Sequence, residues 1–266
     1  MTAEIVERVQ RSSRYRDVDP NLLERLAAEE LPRARSADDA VKRVKRRLHQ
    51  AVGAFRGQRR DDTLEGVRQA WSGDLTSAAF RAACAEVMRS HASTRERLPH
   101  LHTLYMRIWE ATGIPATLLD VGCGLGPLAL PWMGIGEAAY IATDVDQRPL
   151  ETAQAFLELV GQPHAVRPMD VVASLPDDAA DVALLLKLVP TLDRQDPGAA
   201  ARLLRGLDVH HAVVSFPARS LGGRGKGMVQ TYRDRLRRLV DETGRVSEVT
   251  EASVSSELVF VLALDA

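Results

Sequence analysis

The residues best suited to chemistry lie in LLDVGCGLGPLALPW, residues 118–132. An apolar run ends in an acid, Asp120, then empties into Gly122, Gly124 and Gly126 before a helix opens near Pro127. Glycines let a chain turn sharply and let a ligand approach the backbone. The G-x-G-x-x-G spacing of dinucleotide sites is absent: the third glycine comes after one residue, and Pro127 holds the sixth position. A cofactor without a pyrophosphate fits that spacing better than NAD. Asp144 closes the next apolar run (AYIATDV), where a carboxylate can accept both hydroxyls of a ribose. Asp170 ends the run after that (AVRPMDVV), placed to meet an adenine amino group, with the Val171 N–H beside it for a ring nitrogen. Taken singly, Asp144 also reads as a helix cap and Asp170 as a turn residue. The ordered set Asp120, Gly122, Gly124, Asp144 and Asp170 is the pattern of an S-adenosylmethionine site. Cys123, inside the turn, reads as a small space-filler.

Two further stretches concern what such a site would act on. After the fourth apolar run comes LLLKLVP, residues 184–190, where methylases of exocyclic amines carry N-P-P-Y or D-P-P-Y. No cysteine stands there to attack a pyrimidine carbon, and catechol-type metal ligands are not evident. Lys187 occupies the place of a general base. Guanine N7 is an acceptor that needs none, because its lone pair is free and carries no proton; aligning it and excluding water suffice. The second stretch is SFPARSLGGRGKGM, residues 215–228, with four glycines, two arginines and a lysine. It is not a P-loop, since Ser220 replaces the first glycine and Gly227 follows Lys226 where Ser or Thr is required. A cationic loop of this kind suits a nucleic-acid backbone, or is simply solvated.

These residues must be held by a fold, and the hydrophobic period indicates which. From Thr117, short apolar runs of the type buried in parallel sheets alternate with helical stretches such as QRPLETAQAFLELVG and GAAARLLRGL. Alternation of this kind predicts a doubly wound α/β domain over residues 114–266, and with the glycine turn and strand-end acids above the expectation is a Rossmann-like class I methyltransferase fold. RVSEVTEA and ELVFVLALD, close in sequence, predict a final hairpin and a sheet that ends on an antiparallel strand. Residues 1–113 read instead as an all-helical domain. DPNLLERLAAEEL has Asp19 as N-cap and Pro20 at the first helical position, and Ser36 and Asp39 resemble a capping box. Val41, Val44, Leu48, Val52 and Phe55 form one apolar stripe, with most of the cations outside it. TSAAFRAACAEVMRSH and STRERLPHLHTLYMRIWEAT predict two more helices.

The 266 residues carry 35 Lys and Arg against 36 Asp and Glu, but the near balance hides a split. Residues 1–113 hold 21 cations and 16 acids; residues 114–266 hold 14 and 20. Such asymmetry points the front half at a polyanion. Lys42 to Arg60 contains eight Lys or Arg and no acid, and Lys42, Arg43, Lys45, Arg46 and Arg47, with Arg59 and Arg60, are the candidate phosphate footprint; the alternative is a solvated face. Few aromatics accompany these cations, which fits a folded RNA surface better than stacking on single strands. Two cysteines provide neither a disulfide framework nor a zinc spacing. No apolar h-region opens the chain and no run of about 18 apolar residues occurs, so a cytoplasmic setting without membrane, metal or DNA is expected.

HASTRERLPHL, DVGCGLGPLALPWMG, LLLKLVP and SFPARSLGGRGKGM, in that order, resemble the 16S rRNA guanine-N7 methyltransferases of aminoglycoside resistance, in particular those of actinomycete producers. The resemblance covers most of the chain. It implies a helical N-terminal domain that docks on the 30S subunit and a Rossmann-like domain that methylates guanine 1405, acting as a monomer and blocking drugs such as gentamicin and kanamycin. It also implies roles. Arg97 would hold the S-adenosylmethionine carboxylate, where its other reading is a surface salt bridge with Glu96 or a neighbouring acid. Gly122 would accept from the cofactor amino group, and Asp144 and Asp170 would make the ribose and adenine contacts. Lys187, otherwise a strand-end lysine reaching solvent, and Arg224 would act at the target nucleotide, with Lys226 on phosphate or base. Gly126 departs from the family pattern, which often has Asn there. Adenine 1408 N1 methylation, a small-molecule methyltransferase and a non-catalytic rRNA-binding role on the same fold are the alternatives; the S-L-G-x-R-x-K-G-M loop argues against the first, the basic N-terminal half against the second, and the intact Asp120, Asp144, Asp170 and Arg97 against the third.

Overall fold

The computed structural model describes residues 1–53, 64–218 and 226–265. Phe55, Arg59, Arg60 and Arg224 lie outside the described residues, as does the side chain of Lys226. A seven-stranded sheet has the order β3-β2-β1-β4-β5-β7-β6. Its strands are β1 (Thr117–Val121), β2 (Ala139–Asp144), β3 (His164–Pro168), β4 (Ala179–Leu185), β5 (Asp208–Pro217), β6 (Val246–Glu251) and β7 (Glu257–Leu264). The first five run parallel, and β7 is antiparallel to both of its neighbours. The hairpin expected at the end is present, but the sheet does not end on its antiparallel member. β7 lies between β5 and β6 because LVFVLAL is apolar throughout and suits an interior strand. VSEVTE is polar and mostly solvent-facing, as an edge strand requires.

Twelve α-helices occur among the described residues, in three groups. Helices α1 (Thr2–Gln10), α2 (Pro20–Glu30) and α3 (Ala37–Leu48) form a bundle with its own core of Ile5, Val9, Leu22, Leu26, Val44 and Leu48. The caps are those the sequence indicated: Asp19 accepts from the Asn21 N–H at 3.0 Å, and Ser36 Oγ accepts from the Asp39 N–H at 3.2 Å. A π-helical turn, His49–Gly53, follows α3.

Helices α4 (Glu65–Ala70), α5 (Ala78–Met88), α6 (Ala92–Arg97) and α7 (Leu101–Thr112) form the second group. The stretch expected as one helix from Ser93 is broken into α6 and α7 by a 3₁₀ turn at Leu98–His100, because Pro99 cannot complete the ladder. Phe80, Met88, Leu104 and Ile108 share one core with Leu118, Tyr140 and Val213 of the sheet. The expected division between residues 113 and 114 therefore crosses a continuous core. The break between cores falls between Val52 and Leu64. The remaining helices are α8 (Leu130–Met133), α9 (Gln147–Val160), α10 (Val189–Gln195), α11 (Ala199–Gly206) and α12 (Lys226–Thr243). α9 joins the α5 side of the sheet, and α10, α11 and α12 cover the opposite side through Leu192, Leu203 and Leu239.

The bundle is fastened to one edge of this sandwich. The Asp19 N–H donates to the Val145 carbonyl at 2.8 Å and the Gln147 N–H to the Asp17 carbonyl at 2.8 Å, in the turn that follows β2. That edge is the carboxyl end of the parallel strands, where open α/β sheets bind ligands.

Candidate active site

Four parallel strands deliver the candidate residues to this edge. β1 ends in the glycine turn, and the Gly122 and Cys123 N–H groups donate to the Thr143 carbonyl of β2 at 2.8 and 3.0 Å. Gly122 has φ 67°, and a Cβ there would lie 2.9 Å from Leu188 Cδ1, so the close approach needs glycine. β2 ends in Asp144, whose Oδ2 accepts from the Gly124 N–H at 2.8 Å and whose Oδ1 accepts from the Asp146 N–H at 2.9 Å. Asp144 thus locks the turn to the strand. It is not the cap of α9; Asp146 is, accepting from the Arg148 N–H. Asp170 follows β3 by two residues and accepts from the Val172 N–H at 3.1 Å, so the turn reading is part of its role. Lys187 follows β4.

Between these ends opens a cleft walled by Gly122, Asp144, Asp170, Val171, Lys187 and His91, among others. Ala51 and Val52 of the bundle close its far side. Asp120, Gly124 and Arg97 are not part of this wall; Gly124 is hydrogen-bonded to Asp144 and Arg97 to Glu257. Asp120 is buried and accepts from the Tyr140 hydroxyl at 2.7 Å. A Cβ at Gly126 would lie 2.6 Å from Asp120 Oδ2, so this glycine gives the carboxylate its room. Burial pushes Asp120 up to about 6, against the Tyr140 bond and the charge of Arg97. Burial likewise pushes Asp144 up to about 6, with the charge of Asp146 adding repulsion and the backbone N–H groups of Asp146, Gly124 and Val145 opposing. Desolvation holds the Cys123 thiol well above its ordinary range, consistent with a space-filler.

Beside the cleft, charges are buried together. Arg97 grips Glu257 bidentately, Nε to Oε2 at 2.9 Å and Nη2 to Oε1 at 3.0 Å, and both residues are nearly inaccessible. Burial works against the guanidinium, but Glu257 outweighs it and holds Arg97 firmly charged. Burial also acts against Glu257, yet Arg97, Lys187 and Ser215 keep its carboxyl below the usual range. The surface salt bridge considered for Arg97 is absent, because Glu96 pairs with Lys187 instead, Nζ to Oε2 at 2.6 Å.

Lys187 does not reach solvent. Its side chain is 6% exposed and lies 3.8 Å from Glu257. It adopts φ 60°, the left-handed region that a lysine rarely occupies. Its N–H is secured by Ser215 Oγ at 2.9 Å, and Ser215 in turn donates to Glu257. Backbone strain over-determined in this way at the rim of a cleft is the mark of a placed side chain. Glu257 and Ser215 were not indicated by the sequence, although an acid opening the apolar strand ELVFVLAL was a signal of a buried charge.

The basic stretch is divided by the structure. Arg43 donates to Glu30 at 2.6 Å, and Arg47 donates to Glu30 at 2.9 Å, to Glu29 at 3.0 Å and to the Gln195 carbonyl at 3.1 Å. Those two guanidinium groups serve the interior of the bundle and its seam with the sheet. Lys42 and Arg46 are exposed and Lys45 partly so, which leaves them for an outside partner. Among the described residues no cluster of His, Cys, Asp and Glu is arranged to hold a metal ion, and no helix is long and apolar enough to cross a membrane.

A parallel sheet with a penultimate antiparallel strand, a glycine turn after β1 and acids after β2 and β3 define a class I S-adenosylmethionine-dependent methyltransferase fold. The cleft fits that cofactor. Gly122 projects no side chain into it, and the carboxylates of Asp144 and Asp170 line it beside the apolar Val145, Met169 and Val171.

The chain belongs to the family described as "Ribosomal RNA methyltransferase (FmrO)", which it matches over residues 11–261. It is 39% identical over 261 residues to a 16S rRNA (guanine(1405)-N(7))-methyltransferase of Frankia casuarinae, covering 96% of this chain and 91% of the relative. An enzyme of the same name from Micromonospora echinospora is 37% identical over 97% of this chain and 95% of its own length. Among solved structures, the 16S rRNA methyltransferase RmtF in complex with S-adenosyl-L-homocysteine superposes with a TM-score of 0.81 at 33% identity, over 99% of this chain and 98% of that one.

Proposed function

We propose that this protein methylates N7 of guanine 1405 in 16S rRNA, within the assembled 30S subunit and as a monomer, and so protects the ribosome from drugs such as gentamicin and kanamycin. One observation carries the choice of acceptor. At the exit of β4, where an amine methylase needs an acceptor for a proton, the cleft presents Lys187, a cation whose Nζ is already engaged by Glu96. When bound, S-adenosylmethionine supplies a methyl group on a sulfonium, and guanine N7 offers a lone pair with no proton to remove.

The work left to the chain is placement. Asp144 accepts from the ribose hydroxyls, and Asp170 with the Val171 N–H reads the adenine edge. Gly122 offers its carbonyl to the amino group. Arg97, with Nε and Nη2 fixed by Glu257, has Nη1 left for the carboxylate. Asp120 sets the turn that makes this possible. Lys187 and Arg224, with Lys226, face the target nucleotide. Lys42, Lys45 and Arg46 supply phosphate contacts; Arg59 and Arg60 extend that footprint.

The test is transfer of label from methyl-labelled S-adenosylmethionine to purified 30S subunits, 50S subunits and free 16S rRNA, followed by borohydride–aniline cleavage. Label confined to 30S with scission at guanine 1405 is the expected result. Label in 30S without that scission would move the target to another base, adenine 1408 first. No label on any RNA, despite cofactor binding, would overturn the reading.

A further inference from the structure

The strongest contact between the helical bundle and the cofactor edge is not explained by docking on RNA alone. Arg25 of α2 reaches across the seam to Asp170, Nε to Oδ2 at 2.7 Å and Nη2 to Oδ1 at 3.3 Å. Its Nη2 also donates to Gln195 Oε1 at 2.7 Å, and its Nη1 to Glu29 Oε1 at 2.9 Å. The side chain is only 14% exposed, and Asp170 is 3% exposed. Four of its five N–H donors are therefore committed to Asp170, Gln195 and Glu29. Each carboxylate oxygen of Asp170 has two lone pairs, and Oδ2 has taken one bond, so the fork orients the acid without exhausting it.

Glu29, which Arg25 holds on one side, is held on the other by Arg47 of α3, and Arg47 also reaches the Gln195 carbonyl. A second observation points the same way. Ala51 and Val52, directly after α3, form part of the cleft wall.

We propose that Arg25 is a positioning residue for the cofactor: it aims the Asp170 carboxylate at the adenine edge and ties the occupied cleft to the RNA-facing helix α3. The inference rests on the reading of Asp170 as the adenine contact. Loss of Arg25 frees Asp170 to turn and unpins α2 from the sheet. Occupancy of the cleft, in return, restrains the bundle, since coupling between two sites is reciprocal.

The experiment is calorimetric titration of S-adenosylhomocysteine into the wild type, Arg25→Gln, Arg25→Lys and Asp170→Ala. It is combined with hydrogen exchange of residues 37–53 with and without that ligand. Arg25→Gln is expected to weaken binding about tenfold. Arg25→Lys should recover only part of this, because a lysine keeps the charge but cannot fork to Asp170 and Gln195 together. In the wild type, ligand should slow exchange in 37–53, and Arg25→Gln should abolish that protection. Wild-type affinity in Arg25→Gln, with Asp170→Ala impaired, overturns the role of Arg25 and leaves the cofactor reading intact. Wild-type affinity in Asp170→Ala overturns the cofactor reading on which it rests. Ligand-independent exchange in the wild type overturns the coupling even where a variant fails to fold.

Discussion

At the scale of single residues, the site is built from acids in unlike environments. Asp144 sits at about 6 because burial opposes its charge, whereas the ribose hydroxyls need the ionised form as acceptor. The protonated acid has lost acceptor capacity, so affinity for S-adenosylhomocysteine should be level above pH 6. Below that it should fall, by up to about tenfold per pH unit, as Asp144 takes up its proton. Titrations from pH 5 to 8 check this, and Asp144→Asn should bind more weakly with no such slope. The fold itself responds in the opposite sense: an acid raised above its unfolded value costs stability once ionised, so Asp144 and Asp120 make the protein less stable as pH rises from about 4 to 6.

Glu257 is the contrasting case, a buried carboxylate kept low by two cations. Glu257→Gln preserves shape but leaves Arg97 without its partner and Lys187 with Glu96 alone, and should cost about 3–5 kcal/mol in denaturant unfolding. A loss below about 1 kcal/mol would show that the cluster tolerates the uncompensated charge. Asp144, Asp170 and Lys187 could be read from sequence because each closes an apolar run. Glu257 and Arg25 could not, since their partners lie 160 and 145 residues away and nothing local betrays the pairing.

At the scale of elements, period and punctuation carried most of the information. Strands β1, β2 and β4 and the second half of β5 are short apolar runs, and the caps at Asp19 and Ser36 fall where their side chains can reach free N–H groups. What an amphipathic helix does not disclose is the surface that covers it, which is why α5 and α7 read as part of a helical half while they pack on the sheet. The same limit applied to α3. Its polar face carries five cations, but position on a helix does not say which of them meet Glu29 and Glu30 of α2. The structure separates them, and mutation should too. Reversing Lys45 and Arg46 to Glu should weaken 30S binding by about tenfold or more and flatten its salt dependence, leaving S-adenosylhomocysteine affinity unchanged. Arg47→Ala should instead lower stability by about 2 kcal/mol, because Glu30 is buried and loses one of its two close donors. Equal salt-dependent binding by the Lys45 and Arg46 variant would return that face to solvent.

At the scale of the whole molecule, two surfaces must engage one RNA while the cofactor stays in place. The cationic excess of residues 1–113 favours encounter with a polyanion, and the acid-rich remainder limits indiscriminate binding. Encounter does not put N7 in line with a methyl group. That task falls at the edge where β5 ends at Pro217, the edge that also holds Gly122, Asp144, Asp170 and Lys187. SLGGRGKGM follows β5 in the sequence, and its four glycines and Arg224 carry the proposed contact with the nucleotide. If the stretch acts only on the RNA, its loss must be felt in transfer and not in cofactor affinity. Arg224→Ala should therefore reduce single-turnover methylation of 30S subunits by about a hundredfold or more, since misplacing the acceptor forfeits the advantage of alignment. S-adenosylhomocysteine affinity should stay within about twofold of wild type, because none of the residues placed on the cofactor is disturbed. Transfer at the wild-type rate would remove Arg224 from the mechanism. A matching loss of cofactor affinity would place the arginine on the cofactor side of the reaction instead.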